Sequence, residues 1–181
     1  MAQDKSFGNN PILMELDSRV PYVQLYFGRH HDVPGFMKKI GKYVHTMDLL
    51  DIRYTKWEGR DHIIPKLNID GYAVAGLDSI EKSLDSELRN YANRIHAQKP
   101  KLKMYLNSED KKIRKALEDH FYALEVLKIP CKILDNDRDD DRFPELDNNG
   151  YLVAGLDDIK HSIDETVRHY VKSARAVAAK A

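Results

Sequence analysis

Asp70-Gly71-Tyr72-Ala73-Val74-Ala75-Gly76-Leu77-Asp78 is followed, 79 positions later, by Asn149-Gly150-Tyr151-Leu152-Val153-Ala154-Gly155-Leu156-Asp157. Self-similarity at a fixed step is the signature of a repeated structural unit. The same step carries Tyr26 to Tyr105, Tyr43 to Tyr122, Pro65 to Pro144, Leu67 to Leu146, Ile80 to Ile159, Ser83 to Ser162, Arg89 to Arg168 and Tyr91 to Tyr170, so the pairing reads as gap-free. Matches at Pro, Gly and Tyr do not arise from composition, and the chain reads as a duplication.

Each quoted stretch opens on Asp-Gly or Asn-Gly, the pairs that supply the positive φ angles of a two-residue hairpin. Strands are therefore expected at Lys66 to Ile69 and Tyr72 to Ala75, and at their repeat partners. Upstream, the apolar runs Val23 to Phe27 and Leu102 to Leu106 predict buried strands. Helical spacing follows in Phe36, Ile40, Tyr43, Val44 and Met47, and in Ile113, Ala116, Leu117, Phe121 and Leu124. A second strand is expected near Asp51 to Thr55 and Pro130 to Leu134. Downstream, Ile80, Leu84, Leu88, Tyr91 and Ile95, then Ile159, Ile163, Val167, Tyr170 and Ala174, predict closing amphipathic helices. The order β-α-β-β-β-α gives a mixed sheet with packed helices in each unit. The expected division is an N-terminal extension, 1–21, then units 22–99 and 100–181. Units of roughly 75 to 80 residues are small for independent stability, so the two are expected to pack on each other.

The 29 basic residues balance 29 acidic ones, which gives no global field toward nucleic acid or an anionic membrane. No stretch of about 18 apolar residues and no signal-like leader is present, so a cytoplasmic protein, or a virion component if phage-encoded, is expected. A single cysteine, Cys131, excludes an internal disulfide and a four-cysteine zinc site.

The C-terminal half of each unit resembles the glutaredoxins, a thioredoxin-fold family with a Thr-Val-Pro motif, an Asp-Gly hairpin and Gly-Gly-x-Asp opening the last helix. Ile63-Ile64-Pro65 and Arg142-Phe143-Pro144 stand for the first motif, and Ala75-Gly76-Leu77-Asp78 and Ala154-Gly155-Leu156-Asp157 for the last. The resemblance implies two tandem thioredoxin-like domains of the α/β class, with Pro65 and Pro144 cis and facing the former active sites. It also implies that a Cys-x-x-Cys pair would sit at the first helix, near His31 and Pro34 in unit one and near Asp110 and Ile113 in unit two. Neither unit has sulfur there, and thiol-disulfide exchange requires sulfur attacking sulfur. The same loss argues against an iron-sulfur cluster, so no cofactor is expected.

The remaining candidates have plainer readings. Asp78 and Asp157 read first as helix N-caps, with Glu81 completing a capping box after Asp78. In the resemblance they help hold glutathione, together with Ile64, Pro65, Gly76, Phe143, Pro144 and Gly155. Cys131 reads as a small buried hydrophobe. Arg29-His30-His31-Asp32, with His45 and His62 elsewhere in the unit, reads as an exposed loop rather than a metal centre. The acidic loop 135–142 fails the EF-hand pattern, because its sixth and twelfth positions are Asp140 and Leu146. Trp57, Arg29 and His30 are candidate partner contacts, and the basic residues Arg168, Lys172, Arg175 and Lys180 suit a helix C-terminus. The functional expectation is a redox-inactive structural or protein-interaction module, in a homo- or hetero-oligomeric assembly. The alternative is a glutathione-binding regulatory domain, and a third is an enzyme using His30 or His31 as acid-base.

Overall fold

A computed structural model describes residues 20–59, 64–107, 111–135 and 144–178. The N-terminal segment up to Arg19, the Ile63 and Phe143 positions, Asp110 and most of the acidic loop lie outside them. Unit one contains β1 (Val23–Gly28), α1 (Val33–Lys39), α2 (Gly41–Leu49), β2 (Tyr54–Gly59), β3 (Lys66–Ile69), β4 (Tyr72–Ala75) and α3 (Leu77–Ala92). Unit two contains β5 (Leu102–Leu106), α4 (Lys111–Ala116), α5 (Glu118–Val126), β6 (Cys131–Asp135), β7 (Glu145–Asn148), β8 (Tyr151–Ala154) and α6 (Leu156–Ala178).

The two sheets have the same order, β2-β1-β3-β4 and β6-β5-β7-β8. In each, the first two strands are parallel and the other pairings antiparallel. One sheet face is apolar: Val23, Leu25 and Phe27 are buried while Gln24 and Tyr26 between them are not. The closing helices bury the stripes Ile80, Leu84, Leu88, Tyr91 and Ile159, Ile163, Val167, Tyr170, as their spacing requires. Among the described residues no helix is long and apolar enough to cross a membrane.

The hairpins follow the sequence closely. Asp70 and Gly71 have φ of 50° and 90°, and Asn149 and Gly150 have φ of 53° and 94°, the doubly left-handed geometry of a type I′ turn. Each turn is tied down identically. The Gly71 N–H donates to Asn68 Oδ1 at 2.8 Å and the Gly150 N–H to Asp147 Oδ1 at 2.7 Å. The Tyr22 N–H donates to Asp70 Oδ1 and the Lys101 N–H to Asn149 Oδ1, which anchors the entry of the first strand of each unit.

Two expectations are corrected. The helix after the first strand is broken in both units, at Ile40 (φ −95°, ψ 15°) and at Leu117 (φ −102°, ψ 2°). The gap-free pairing also fails in this region. β1 and β5 start 79 positions apart, as do β3 and β7, but α2 and α5 start at Gly41 and Glu118, and β2 and β6 at Tyr54 and Cys131, steps of 77. Each helix ends on a left-handed residue, Asp51 (φ 58°) and Lys128 (φ 54°), again 77 apart. Loops on either side absorb the two-residue slip, because only helix and strand registers are fixed by core packing. Tyr43 and Tyr122, paired in the sequence reading, are therefore not equivalent. Tyr43 matches His120, third in its helix, and His45 matches Tyr122, fifth in its helix.

This corrected register explains how the units meet. α2 packs on α5, and reciprocally α2 on α6 and α3 on α5. Tyr43 stacks edge-on against Tyr122 at 5.1 Å and 80°, and its counterpart pair, His45 and His120, lies at 4.6 Å and 53°. The third residue of one helix touches the fifth of the other, in both directions, which is the pattern of an isologous two-fold contact. Long reaches support it: Tyr170 Oη donates to the Ile95 carbonyl, and Arg175 donates to Asp51 Oδ2, the Leu50 carbonyl and Tyr91 Oη. Arg175 is thus an inter-unit strap rather than a charge serving its own helix end.

Because one core spans both units, unfolding is expected to be a single transition: the fluorescence of Trp57, the only tryptophan, should change over the same urea range as far-UV circular dichroism. Tyr122→Phe, which removes the hydroxyl but keeps the ring, should cost about 1 kcal/mol. Tyr122→Ala should cost about 3–5 kcal/mol in the same titration.

Candidate functional site

At the mouth of the first helix the backbone does what the sequence suggests, but with local partners. His31 lies in the turn after β1, where its Nδ1 accepts the Gly28 N–H at 2.9 Å and its own N–H donates to the Gly28 carbonyl at 3.0 Å. Asp32 caps α1 by accepting the Gly35 N–H at 3.0 Å, and Pro34 occupies the first turn, where a missing N–H costs nothing. A Cβ at Gly35 would meet the Asp32 carboxylate, whose side chain would have to shift to keep the cap. Arg29 and His30 are exposed beside this turn. In unit two Ile113 lies on α4, packed against the core, and Asp110 falls outside the described residues.

The proline end of each unit is also internally satisfied. The Gly76 N–H donates to the Pro65 carbonyl at 2.9 Å and the Gly155 N–H to the Pro144 carbonyl at 3.1 Å. Those two amides are therefore engaged within the chain. Gly76 (φ 85°) is the N-cap of α3, and no side chain caps that helix. The expected Asp78 cap and its capping box with Glu81 are thus corrected: Asp78 lies inside the first turn, exposed, where its charge favours the helix dipole. Asp157 holds the same place on α6, with Lys160 Nζ at 3.6 Å. Ile64 is exposed, and Phe143 is outside the described residues.

Cys131 opens β6, paired with Leu102 at the start of β5, whereas Pro144 precedes Glu145, which pairs with Tyr105. Their partners Leu102 and Tyr105 are a step of three apart on β5, about 10 Å along the strand. Burial pushes the thiol up to about 11. Cys131 is half-buried and packed against the core, so the small buried hydrophobe that the sequence suggests is only partly covered.

Two surfaces stand out. Trp57 is 53% exposed on an outer strand, with its Nε1 donating to Thr55 Oγ1. The edge strands β4 and β8 present Tyr72, Tyr151 and Leu152, at 72%, 79% and 69% exposure. Beside β8 runs a groove of about 860 Å³ between Tyr151, Val153 and Asn148 on the sheet, Thr166, His169 and Tyr170 on α6, and the 97–100 connection. Asn148 braces its floor by donating to Ser162 Oγ and Thr166 Oγ1.

The seam holds two side-chain clusters that no spacing along the chain suggests. Asp85 on α3 accepts the Tyr122 hydroxyl at 2.7 Å and Arg89 Nε at 2.9 Å, and Arg89 also reaches Glu125. Burial alone would raise the Asp85 carboxyl, but the bonds from Arg89 and Tyr122 outweigh it and hold it low. Burial, then the bond to Asp85, drives the Tyr122 phenol upward. At the two-fold counterpart, Asp164 on α6 lies 3.1 Å from His45 Nε2 and 3.5 Å from His120 Nε2. Burial raises Asp164, yet its contact with His45 and the charges of His45, His120 and Arg168 prevail and lower it. His120 is only 8% exposed, and burial depresses its imidazole against the pull of Asp164. His45 shares its unit with His30, His31 and His62, but the side chains it meets, His120 and Asp164, come from the other unit. A histidine among the apolar positions of a buried helix, His120 between Leu117 and Leu124, was the available signal.

No family model matches this chain, and no curated protein or solved structure is significantly similar to it.

Because burial pushes the Cys131 thiol up to about 11, the native protein should carry much less thiolate than the unfolded chain at pH 8. Its rate of alkylation by iodoacetamide should be reduced in proportion, and equal rates in native and urea-unfolded protein would contradict the burial.

Proposed function

We propose that the chain is a redox-inactive pair of glutaredoxin-like, thioredoxin-fold domains that serves as a protein-interaction module, receiving an extended segment of a partner protein at its β4 and β8 edges. The fold part of this reading is supported by the shared strand order, with a parallel first pair and an antiparallel hairpin leading into the closing helix. The loss of redox chemistry is supported by the residues at the first helix of unit one, where His31 and Pro34 offer no sulfur.

The observation that carries the interaction role is the chemistry of the two edges. Proteins protect unpaired edges with charge or proline, since free N–H and C=O groups invite another strand. β2 and β6 follow that rule, with Lys56 and Glu58, and Lys132 and Asp135. β4 and β8, Tyr-Ala-Val-Ala and Tyr-Leu-Val-Ala, carry no charge or proline and expose repeat-related tyrosines. Such an edge suits strand addition, in which the backbone supplies affinity and alternate side chains supply specificity. The groove beside Tyr151 and Val153 provides room for those side chains.

The test uses the protein in its native source. The wild-type chain should fractionate as a stable complex of defined composition, and Leu152→Lys with Tyr72→Lys should release it as a monomer without lowering its unfolding midpoint. A wild-type chain that elutes alone, or a double variant that stays in the complex, defeats the reading. Glutathione-dependent disulfide reduction should equal the protein-free rate, and a rate above it defeats the redox-inactive part.

A further inference from the structure

The Asp164 end of the seam carries a chemistry that its Asp85 counterpart lacks. Both ends are built from the same positions: a carboxylate ninth in a closing helix, the fifth residue of the opposite short helix and the third residue of the other. At the Asp85 end these residues are Asp85, Tyr122 and Tyr43, and the hydroxyl and Arg89 satisfy the carboxylate. At the other end they are Asp164, His45 and His120. Both aromatic positions have become imidazoles, and the three ligand atoms lie within 4.8 Å of one another.

Each member of this trio keeps one buried polar atom that no hydrogen bond satisfies. Among the described residues, the buried side-chain polar atoms without a hydrogen-bond partner are His45 Nε2, His120 Nδ1 and Asp164 Oδ1. The His45 to Asp164 contact of 3.1 Å has the distance of an ion pair without the alignment of a hydrogen bond. Unsatisfied buried groups are rare enough to require a cause, and an unplaced ion is one of the standard ones.

The donor spacing identifies that ion. Ligands about 2.0–2.2 Å from a tetrahedral centre stand about 3.3–3.6 Å from one another. His45 Nε2 stands 3.1 Å and His120 Nε2 3.5 Å from Asp164 Oδ1, the first just below that range and the second within it. Two imidazoles and one carboxylate suit zinc and its neighbours in the first transition row, whereas calcium and magnesium require shells of oxygen. Three protein ligands leave a fourth position for water. We propose that His45, His120 and Asp164 bind one zinc-class divalent ion across the seam between the two units. The ion joins α2 and α5 to α6, so binding it also clamps the units together. The proposal is independent of the edge-strand reading, since no residue of β4 or β8 is a donor.

The test is calorimetric titration of the full chain, stripped by chelation, with zinc chloride near neutral pH. One ion per chain is expected, with urea unfolding moved to higher concentration in its presence. Cobalt in place of zinc should give the visible absorption of a four- or five-coordinate ion. His45→Ala and Asp164→Asn should each weaken binding by roughly tenfold or more and abolish the cobalt spectrum. His96→Gln with His161→Gln, both exposed and outside the trio, should leave binding unchanged. Should His45→Ala fail to fold, the nearly isosteric Asp164→Asn carries the comparison. The proposal is overturned if the wild-type chain binds no zinc, if Asp164→Asn binds as tightly as wild type, or if the exposed-histidine variant loses the site.

Discussion

The whole molecule depends on the packing of two short helices, α2 on α5, across an internal two-fold relation. A sheet of four short strands with helices on one face leaves a unit this small with a large surface for its volume. The seam changes that ratio, because the buried residues of both units, Met47, Leu49 and Leu50 of one and Ala123, Val126 and Leu127 of the other among them, belong to one continuous core. Polar contacts then fix the orientation: the Asp85–Tyr122 bond, the Arg175 strap and the Lys128 Nζ bond to Asn93 Oδ1 all cross between units. A seam that is at once apolar and specifically hydrogen-bonded holds one arrangement rather than many, because each buried polar group demands its partner.

Duplication gave this interface two equivalent ends, and the sequence has since filled them differently. Tyrosine and arginine around Asp85 form a closed network in which every charge has a partner. Histidines around Asp164 put titratable, metal-competent nitrogens in the corresponding place, with polar atoms that the protein itself does not satisfy. Core packing tolerates either choice, since imidazole and phenol rings are both flat and stack edge-on or tilted. The chemistry at the two ends is therefore free to diverge while the architecture stays fixed.

The turn after β1 and the proline ends of the units are bonded within the chain. At the helix mouth of unit one, His31 and Asp32 spend their side chains on Gly28 and Gly35. The amides of Gly76 and Gly155 are held by the proline carbonyls in front of them. These groups are engaged locally, while the edge strands β4 and β8 expose Tyr72, Tyr151 and Leu152.

The sequence by itself determined the duplication, the element order, the type I′ hairpins and the buried stripes of the closing helices. Each of these is local: a glycine after Asp or Asn sets a turn, and a spacing of three and four residues sets a helix face. It missed the breaks at Ile40 and Leu117 and the two-residue slip of the repeat, because identities such as Tyr43 and Tyr122 align by letter while helix register follows core packing. Only the tertiary structure decided which residues meet across the seam. His45, His120 and Asp164 lie on three helices from two units, and no spacing along the chain encodes a neighbourhood created by one unit folding against the other.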